Sequence, residues 1–365
     1  MRKTFKYRLN PTKFQRTKLN QTIELCRKVY NDTLALRKDT WEKEHKSISL
    51  YDTNKILTGW KQERPELNNV FSQVLQNVQE RVDLAFKAFF RRVKAGQKNG
   101  YPRFKGFGRY DSFTFKQSGF KLSDRLFISK IGDIKINLHR PVEGKIKTVT
   151  IQRDRLGNWY ACFSCEVETK PLLVSSEMVG IDLGLTTFAT LSNGETIERE
   201  RWLKRDEQDL KRIQRKVSKL AKGSPERKKA IKALNHVHTR IKNCRDNFAH
   251  QESRKLVNRY GLIVFEKLDI DGMQTKGNRT INKGIADVAW SQFVSKTHAK
   301  AEEAGRGFIL VDPKNTTQQC SGCGLIVPKD LSVRIHHCPD CGLKIGRDLN
   351  AALNILARGL SSLRL

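Results

Sequence analysis

The hydrophobic period of this chain changes along its length, and that limits the folds open to it. Between residues 10 and 95 apolar side chains recur every three or four positions, as in helices buried on one face. A first helix, opening at Asn10-Pro11-Thr12, buries Leu19, Ile23, Cys26, Tyr30 and Leu34. A second, predicted over 66–95, buries Phe71, Val74, Val78, Val82, Phe86 and Phe89. From 112 to 168 the period becomes two, with a hairpin turn at Leu156-Gly157-Asn158. Short strands at this spacing predict a small antiparallel barrel. The strand at 3–9 joins it, which makes the helices an insertion. After residue 178 come "VGIDLG" and "GLIVFE". The unbroken apolar run at 262–265 predicts a strand covered on both faces.

Between those two strands lie a hairpin turn at Ser192-Asn193-Gly194 and a long helical stretch, 203–260, broken at Gly223-Ser224-Pro225. A helix over 281–305, a strand "GFILVDP" and a helix from "GRDLNAALNILARGL" follow, and 170–177 reads as a linker. Charge narrows the partners. The chain carries 70 Lys+Arg against 38 Asp+Glu, a net +32. Residues 203–259 alone hold 18 Lys/Arg against 6 Asp/Glu. Such an excess repels itself unless a polyanion covers it, which points to a nucleic-acid binder. A membrane is the rival surface, but no apolar stretch approaches the roughly 20 residues of a spanning helix. The N-terminal residues are too polar for a secretory segment, so the expected location is cytoplasmic.

Within 95–115, glycines and Pro102 break the helix while Lys98, Arg103, Lys105 and Arg109 alternate with Tyr101, Phe104, Phe107 and Tyr110. Cations and rings on a loop suit phosphate contact with base stacking. Gln73, Gln76, Asn77 and Gln79 cluster on the second long helix. Amides can pair with adenine edges, so Gln76 and Asn77 are candidates for reading a base sequence.

Three carboxylates stand out. Asp182 sits inside an apolar strand, where an unpaired charge is costly. Glu266 ends a strand at its carboxyl edge, where open α/β sheets place their sites. Asp348 begins the last helix, where an aspartate is most often an N-cap. Three oxygen ligands suit a hard divalent ion such as Mg²⁺, and two such ions can hydrolyse a phosphodiester. Asp269, Asp271 and Asp312 also follow strands, and spacing alone leaves Asp312 open.

The chain holds eight cysteines. Cys320, Cys323, Cys338 and Cys341 form two C-x-x-C-G halves separated by 14 residues, the spacing of a structural zinc ribbon. His336 and His337 are substitutes the set does not need. Cys162 and Cys165 lie three apart on a strand, point to opposite faces, and make no second metal site. Cys26 reads as a small buried hydrophobe.

Taken in order, "GIDLG", "IVFEKL", "CSGCG…CPDCG" and "RDLNAALNIL" resemble the TnpB proteins of bacterial insertion sequences, compact relatives of type V CRISPR effectors. The upstream "CRKVYNDTLALR" and "GYPRFKG" resemble the same family. The resemblance implies an α/β multidomain chain. An OB-like β-barrel (wedge) would span 1–10 and 110–170, carrying a helical recognition domain at 11–109. An RNase H-like (RuvC) nuclease domain would span 171–365, with basic helices at 203–260 and the zinc ribbon at 318–343. It implies an acidic triad at Asp182, Glu266 and Asp348 holding two Mg²⁺. It also implies a guide RNA that pairs with double-stranded target DNA beside a short transposon-adjacent motif. The expected particle is a monomeric ribonucleoprotein. One departure is visible: Gly346 stands where the family commonly has an acidic residue two positions before the last aspartate. Nuclease-dead repressors of the family have eroded triads, and this one is complete. The alternatives are such a nuclease-inactive RNA-guided repressor, against which the complete triad argues, and an RNA-independent transposase or resolvase.

Overall fold

The computed structural model describes residues 1–98, 100–198, 202–269, 272–273, 282, 284, 288–330 and 332–363, with backbone only for 202–205. The chain divides into two compact units, Met1–Val167 and Glu168–Leu365.

The first unit is built on seven antiparallel strands in the order β2-β6-β7-β1-β5-β4-β3. They are β1 (Arg2–Asn10), β2 (Ser112–Phe115), β3 (Phe120–Leu122), β4 (Arg125–Ile128), β5 (Gly132–Asn137), β6 (Lys145–Arg153) and β7 (Trp159–Glu166). The N-terminal strand does join the later ones, lying between β7 and β5. The expected barrel is a nearly closed sheet. Its edge strands share no backbone ladder, and the ends meet through the Phe115 and Phe120 rings, 6.5 Å apart. Strands β4 and β5 are joined by a turn at Lys130 and Gly132, both in left-handed backbone.

Three helices lie between β1 and β2. Helix α1 (Lys13–Glu44) opens with a capping box, Thr12 and Gln15 each bonding the other's backbone. Helix α2 (Leu50–Glu63) is absent from the sequence reading, although Ser49 and Asp52 cap it in the same way. Helix α3 (Ser72–Lys94) begins later than predicted, because Pro65–Asn69 form a separate 3₁₀ turn. Helices and strands share one core, in which Cys26 and Leu34 from α1 and Val78 from α3 join Phe5, Phe113 and Phe163. Burial lifts the Cys26 thiol to about 12, as befits a packing residue.

The second unit is a five-stranded sheet, β10-β9-β8-β11-β12. Its strands are β8 (Met178–Leu183), β9 (Ala189–Leu191), β10 (Thr196–Ile197), β11 (Leu262–Glu266) and β12 (Gly307–Val311). The first three are antiparallel; β11 runs parallel to both β8 and β12. Helices α4 (Trp202–Lys219) and α5 (Pro225–Arg259) form a basic pair, separated where Ser224 caps α5 and Pro225 takes its first position. The C-terminal half of α5 and helix α6 (Trp290–Ala304) cover one face of the sheet, around Ile181, Phe265 and Phe293. Helix α7 (Arg347–Leu363) covers the other, around Val264 and Ile355. Residues 281, 283 and 285–287 of the helix expected over 281–305 lie outside the described residues. No described helix is long and apolar enough to cross a membrane.

Candidate active site and metal centre

Strand alternation decides where Asp182 points. Val179, Ile181 and Leu183 enter the core under α5 and α6, so Gly180 and Asp182 face α7. A Cβ on Gly180 would lie 2.2 Å from the Ala352 carbonyl oxygen and 2.5 Å from the Leu356 nitrogen. Gly359 repeats the device from the helix side, where a Cβ would meet Val264 at 2.5 Å. These two notches let α7 lie close on the sheet. Asp348 is one helical turn before Ala352, about 6 Å along the axis. Asp182 is two residues beyond Gly180, about 6.6 Å along the strand. The two carboxylates interact, the charge of Asp348 being one of those that raise the Asp182 carboxyl. Glu266 comes from the neighbouring strand: Phe265 pairs with Ile181, and the next positions in that register are Glu266 and Asp182.

The electrostatics follow from this placement. Burial, then the charges of Glu266 and Asp348, push the Asp182 carboxyl up to about 8, and Arg347 offsets them only in part. Burial raises Glu266 as well, opposed by the Thr316 hydroxyl and by Arg358. Thr316 Oγ1 donates to Glu266 Oε1. Arg347 donates to Asp348 Oδ1 from Nε at 3.1 Å and Nη2 at 3.0 Å. The three carboxylates share one field but are more widely spread than a closed ligand set. Among the described residues, only the four cysteines bring three or more Cys, His, Asp or Glu ligand atoms within 4.8 Å of one another. An all-oxygen group in which burial and two neighbouring carboxylates raise the central Asp182 has the donor chemistry of a hard divalent cation site.

The other strand-end carboxylates face elsewhere. Asp312 is exposed and its Oδ1 accepts Lys314 N at 3.0 Å. Asp269 is exposed and accepts Gly272 N. Asp271 lies outside the described residues.

The cysteine halves are built alike. Cys320 N donates to Leu325 O and Gly324 N to Cys320 O; Cys338 N donates to Leu343 O and Gly342 N to Cys338 O. Gly324 and Gly342 both take positive φ, which only glycine adopts without strain. Sγ atoms approach to 3.6 Å for Cys320–Cys341 and 3.5 Å for Cys323–Cys338. A tetrahedron with zinc–sulfur bonds of about 2.3 Å has edges of about 3.8 Å, so four thiolates fit one zinc ion. Burial opposes ionisation of Cys320, but the N–H groups of Cys323 and Gly322 outweigh it and hold the thiol at about 6. His336 is fully buried against Lys329 and is not one of the four. Cys162 and Cys165 occupy alternate faces of β7.

The candidate nucleic-acid contacts divide. Gln76 and Asn77 line a cleft of about 270 Å³ with Asn54, Gln73, Lys116 and Gln117. The Gln73 and Asn54 side-chain oxygens are buried there without a partner. Gln79 instead points inward and donates to Thr53 O at 2.8 Å. In the 95–110 loop, Arg103, Phe104 and Phe107 are exposed, Phe107 to 87%. Tyr101 leans on Phe86 and Phe89, each at 5.5 Å. Lys105 is anchored through its backbone, its N donating to Asn31 Oδ1 at 2.7 Å. Tyr110 is buried and accepts from Arg81, so it is unavailable for stacking. In the second unit, Lys211, Arg212, Arg215, Lys216 and Lys219 line one groove along α4.

Residues 162–276 match the IS605 OrfB family model, described as "Probable transposase", and 290–355 match a Cas12f1-like TNB domain. Residues 1–46 match a "Helix-turn-helix domain", although here they form one strand and one long helix. A "Putative RNA-guided DNA endonuclease" of Streptomyces pristinaespiralis is 34% identical, over 99% of this chain and 90% of that protein. The "Putative RNA-guided DNA endonuclease InsQ" of Escherichia coli (strain K12) is 30% identical over 97% and 92%. Among solved structures, a Cas12f1–sgRNA–target DNA complex aligns with a TM-score of 0.60 at 14% identity, over 92% of this chain and 81% of that one. At that identity the likeness concerns the fold alone.

Proposed function

This chain belongs to the TnpB (IS605 OrfB) family, and on that premise we propose that it is a transposon-encoded, RNA-guided endonuclease that cuts double-stranded DNA. The observation that carries the catalytic assignment is the setting of Asp182, a carboxyl raised by burial first and by the charges of Glu266 and Asp348 second, which Arg347 offsets only in part. In this reading Asp182, Glu266 and Asp348 hold two Mg²⁺ ions. When bound, such a pair activates a water and stabilises the leaving oxygen of a phosphodiester. The sheet order, three antiparallel strands followed by two parallel ones, supports an RNase H-like (RuvC) reading of residues 171–365. The nearly closed sheet supports a wedge at 1–10 and 110–170, with 11–109 as the recognition part. The zinc ion is structural, since four thiolates close its shell.

The protein's other groups would bind and orient. Gln76 and Asn77, in the amide-lined cleft, read the motif beside the target. Tyr101, Arg103, Phe104 and Lys105 contact nucleic acid. Base pairing with the guide RNA selects the sequence, while the protein reads backbone shape. The working particle is a monomeric ribonucleoprotein in the cytoplasm.

Expression with the native flanking DNA, purification and sequencing of the bound RNA test the proposal. One dominant RNA ending in flanking sequence is expected, and the complex should cut a matching target only with Mg²⁺. Asp182→Ala should abolish cutting and leave RNA binding intact. Full activity in that variant would remove the triad assignment; no specific RNA would remove the guide.

A further inference from the structure

The loop between β12 and the first zinc knuckle passes directly beside the acidic site. Thr316, 2% exposed, lies on it and donates its hydroxyl to Glu266 Oε1 across 50 residues of sequence. The Pro313 carbonyl oxygen is also within reach, at 3.1 Å. A hydroxyl has one proton, and the charged acceptor takes it in preference.

The loop is held from α7, on residues spaced by four. Asn354 Nδ2 donates to the carbonyl oxygens of Thr316 at 2.9 Å and Gln319 at 2.7 Å. Asn350 Nδ2 donates to Gln319 O at 2.7 Å, and its Oδ1 accepts Ser321 N at 2.9 Å. Arg358 donates to the carbonyl oxygens of Asp312 at 2.8 Å and Lys314 at 2.7 Å. Asn350 and Asn354 are buried. Asparagine disfavours helix interiors and is costly to bury without partners. Holding this loop is what these two side chains do there. Helix α7 thus supplies Asp348 directly and braces Glu266 at one remove.

We propose that Thr316 is a positioning residue for the divalent-ion site, fixing one oxygen of Glu266 so that the other remains available to the cation. This rests on the reading of Glu266 as a metal ligand. A carboxylate with a single anchoring bond can rotate about its last torsion once the bond is lost. Substitutions of groups that orient a metal ligand typically cost about 10–100-fold in metal affinity or activity.

The test is Mn²⁺ binding by the full-length, zinc-retaining protein, read by electron paramagnetic resonance. Thr316→Val keeps the side-chain shape and removes the proton donor, and should weaken Mn²⁺ binding about 10–100-fold. Thr316→Ser keeps the hydroxyl and should stay close to the parent. Cleavage rates of the ribonucleoprotein should fall in the same order, with zinc content unchanged. If Thr316→Val binds Mn²⁺ like the parent while Glu266→Gln has lost it, the positioning role is wrong and the triad reading survives. Undiminished binding in Glu266→Gln overturns the triad reading and the positioning role together. Equal losses in Thr316→Ser and Thr316→Val assign the effect to packing and overturn the role as well. Should Thr316→Val fail to retain zinc, Thr316→Ala replaces it with the same expectation.

Discussion

Asp182 pays for its position in an apolar strand with a changed proton affinity. Its carboxyl rises from the ordinary 3.8 to about 8 in the folded protein, through burial first and like charges second. The folded state therefore holds this proton more tightly than the unfolded chain. The resulting stability is complete below pH 3.8 and is lost as pH rises through 8. Asp182→Asn, neutral in both states, should melt higher than the parent when no divalent ion is added. The margin should widen from pH 5 to pH 8.5, as differential scanning fluorimetry would show; a pH-independent margin contradicts the raised carboxyl. At this scale the sequence speaks unevenly. Asp182 is legible because nothing near it in the chain neutralises it. Asp348 looks like a helix cap until α7 is laid against β8. Thr316 carries no signal in a single sequence, because its partner is 50 positions away.

At the scale of elements, contact between α7 and the sheet governs the site. Gly180 is where the helix backbone touches the strand. Gly180→Ala forces a Cβ against the Ala352 carbonyl and the Leu356 nitrogen and should cost about 1–3 kcal/mol by overpacking. Because the helix must move away, Asp348 moves with it. Cleavage should fall at temperatures where urea unfolding shows the variant still folded, and parallel losses of folding and activity would argue against this geometry. Elements with a strong apolar period were legible: α1 and β11 lie where that pattern placed them, α5 lies within the helical stretch read over 203–260, and α7 begins within the one read over 346–360. Helix α2 was not, since among its residues only Thr53 and Leu57 are buried. Gln79 and Tyr110 share their neighbours' polarity in sequence, yet packing turns both inward.

For the whole molecule, the net charge of +32 is the dominant fact. Without RNA the protein should bind unrelated nucleic acid through phosphate contacts alone. Occupying 6–10 phosphates would lower affinity about 10³–10⁵-fold between roughly 50 and 200 mM salt. Fluorescence anisotropy over that range checks this, and a flat response would rule out a mainly electrostatic surface. The amino-acid sequence by itself determined most of the elements, the four-cysteine metal set and the positive charge that points to a polyanionic partner. Period, short ligand spacing and net charge are properties of the chain that survive without a fold. Its resemblance to TnpB proteins also singled out three carboxylates. Only the tertiary structure decided how those carboxylates come to share one field, how nearly the first sheet closes, and which loop bonds to Glu266. Each of these depends on strand register and helix packing between residues far apart in the chain, and no local pattern encodes them.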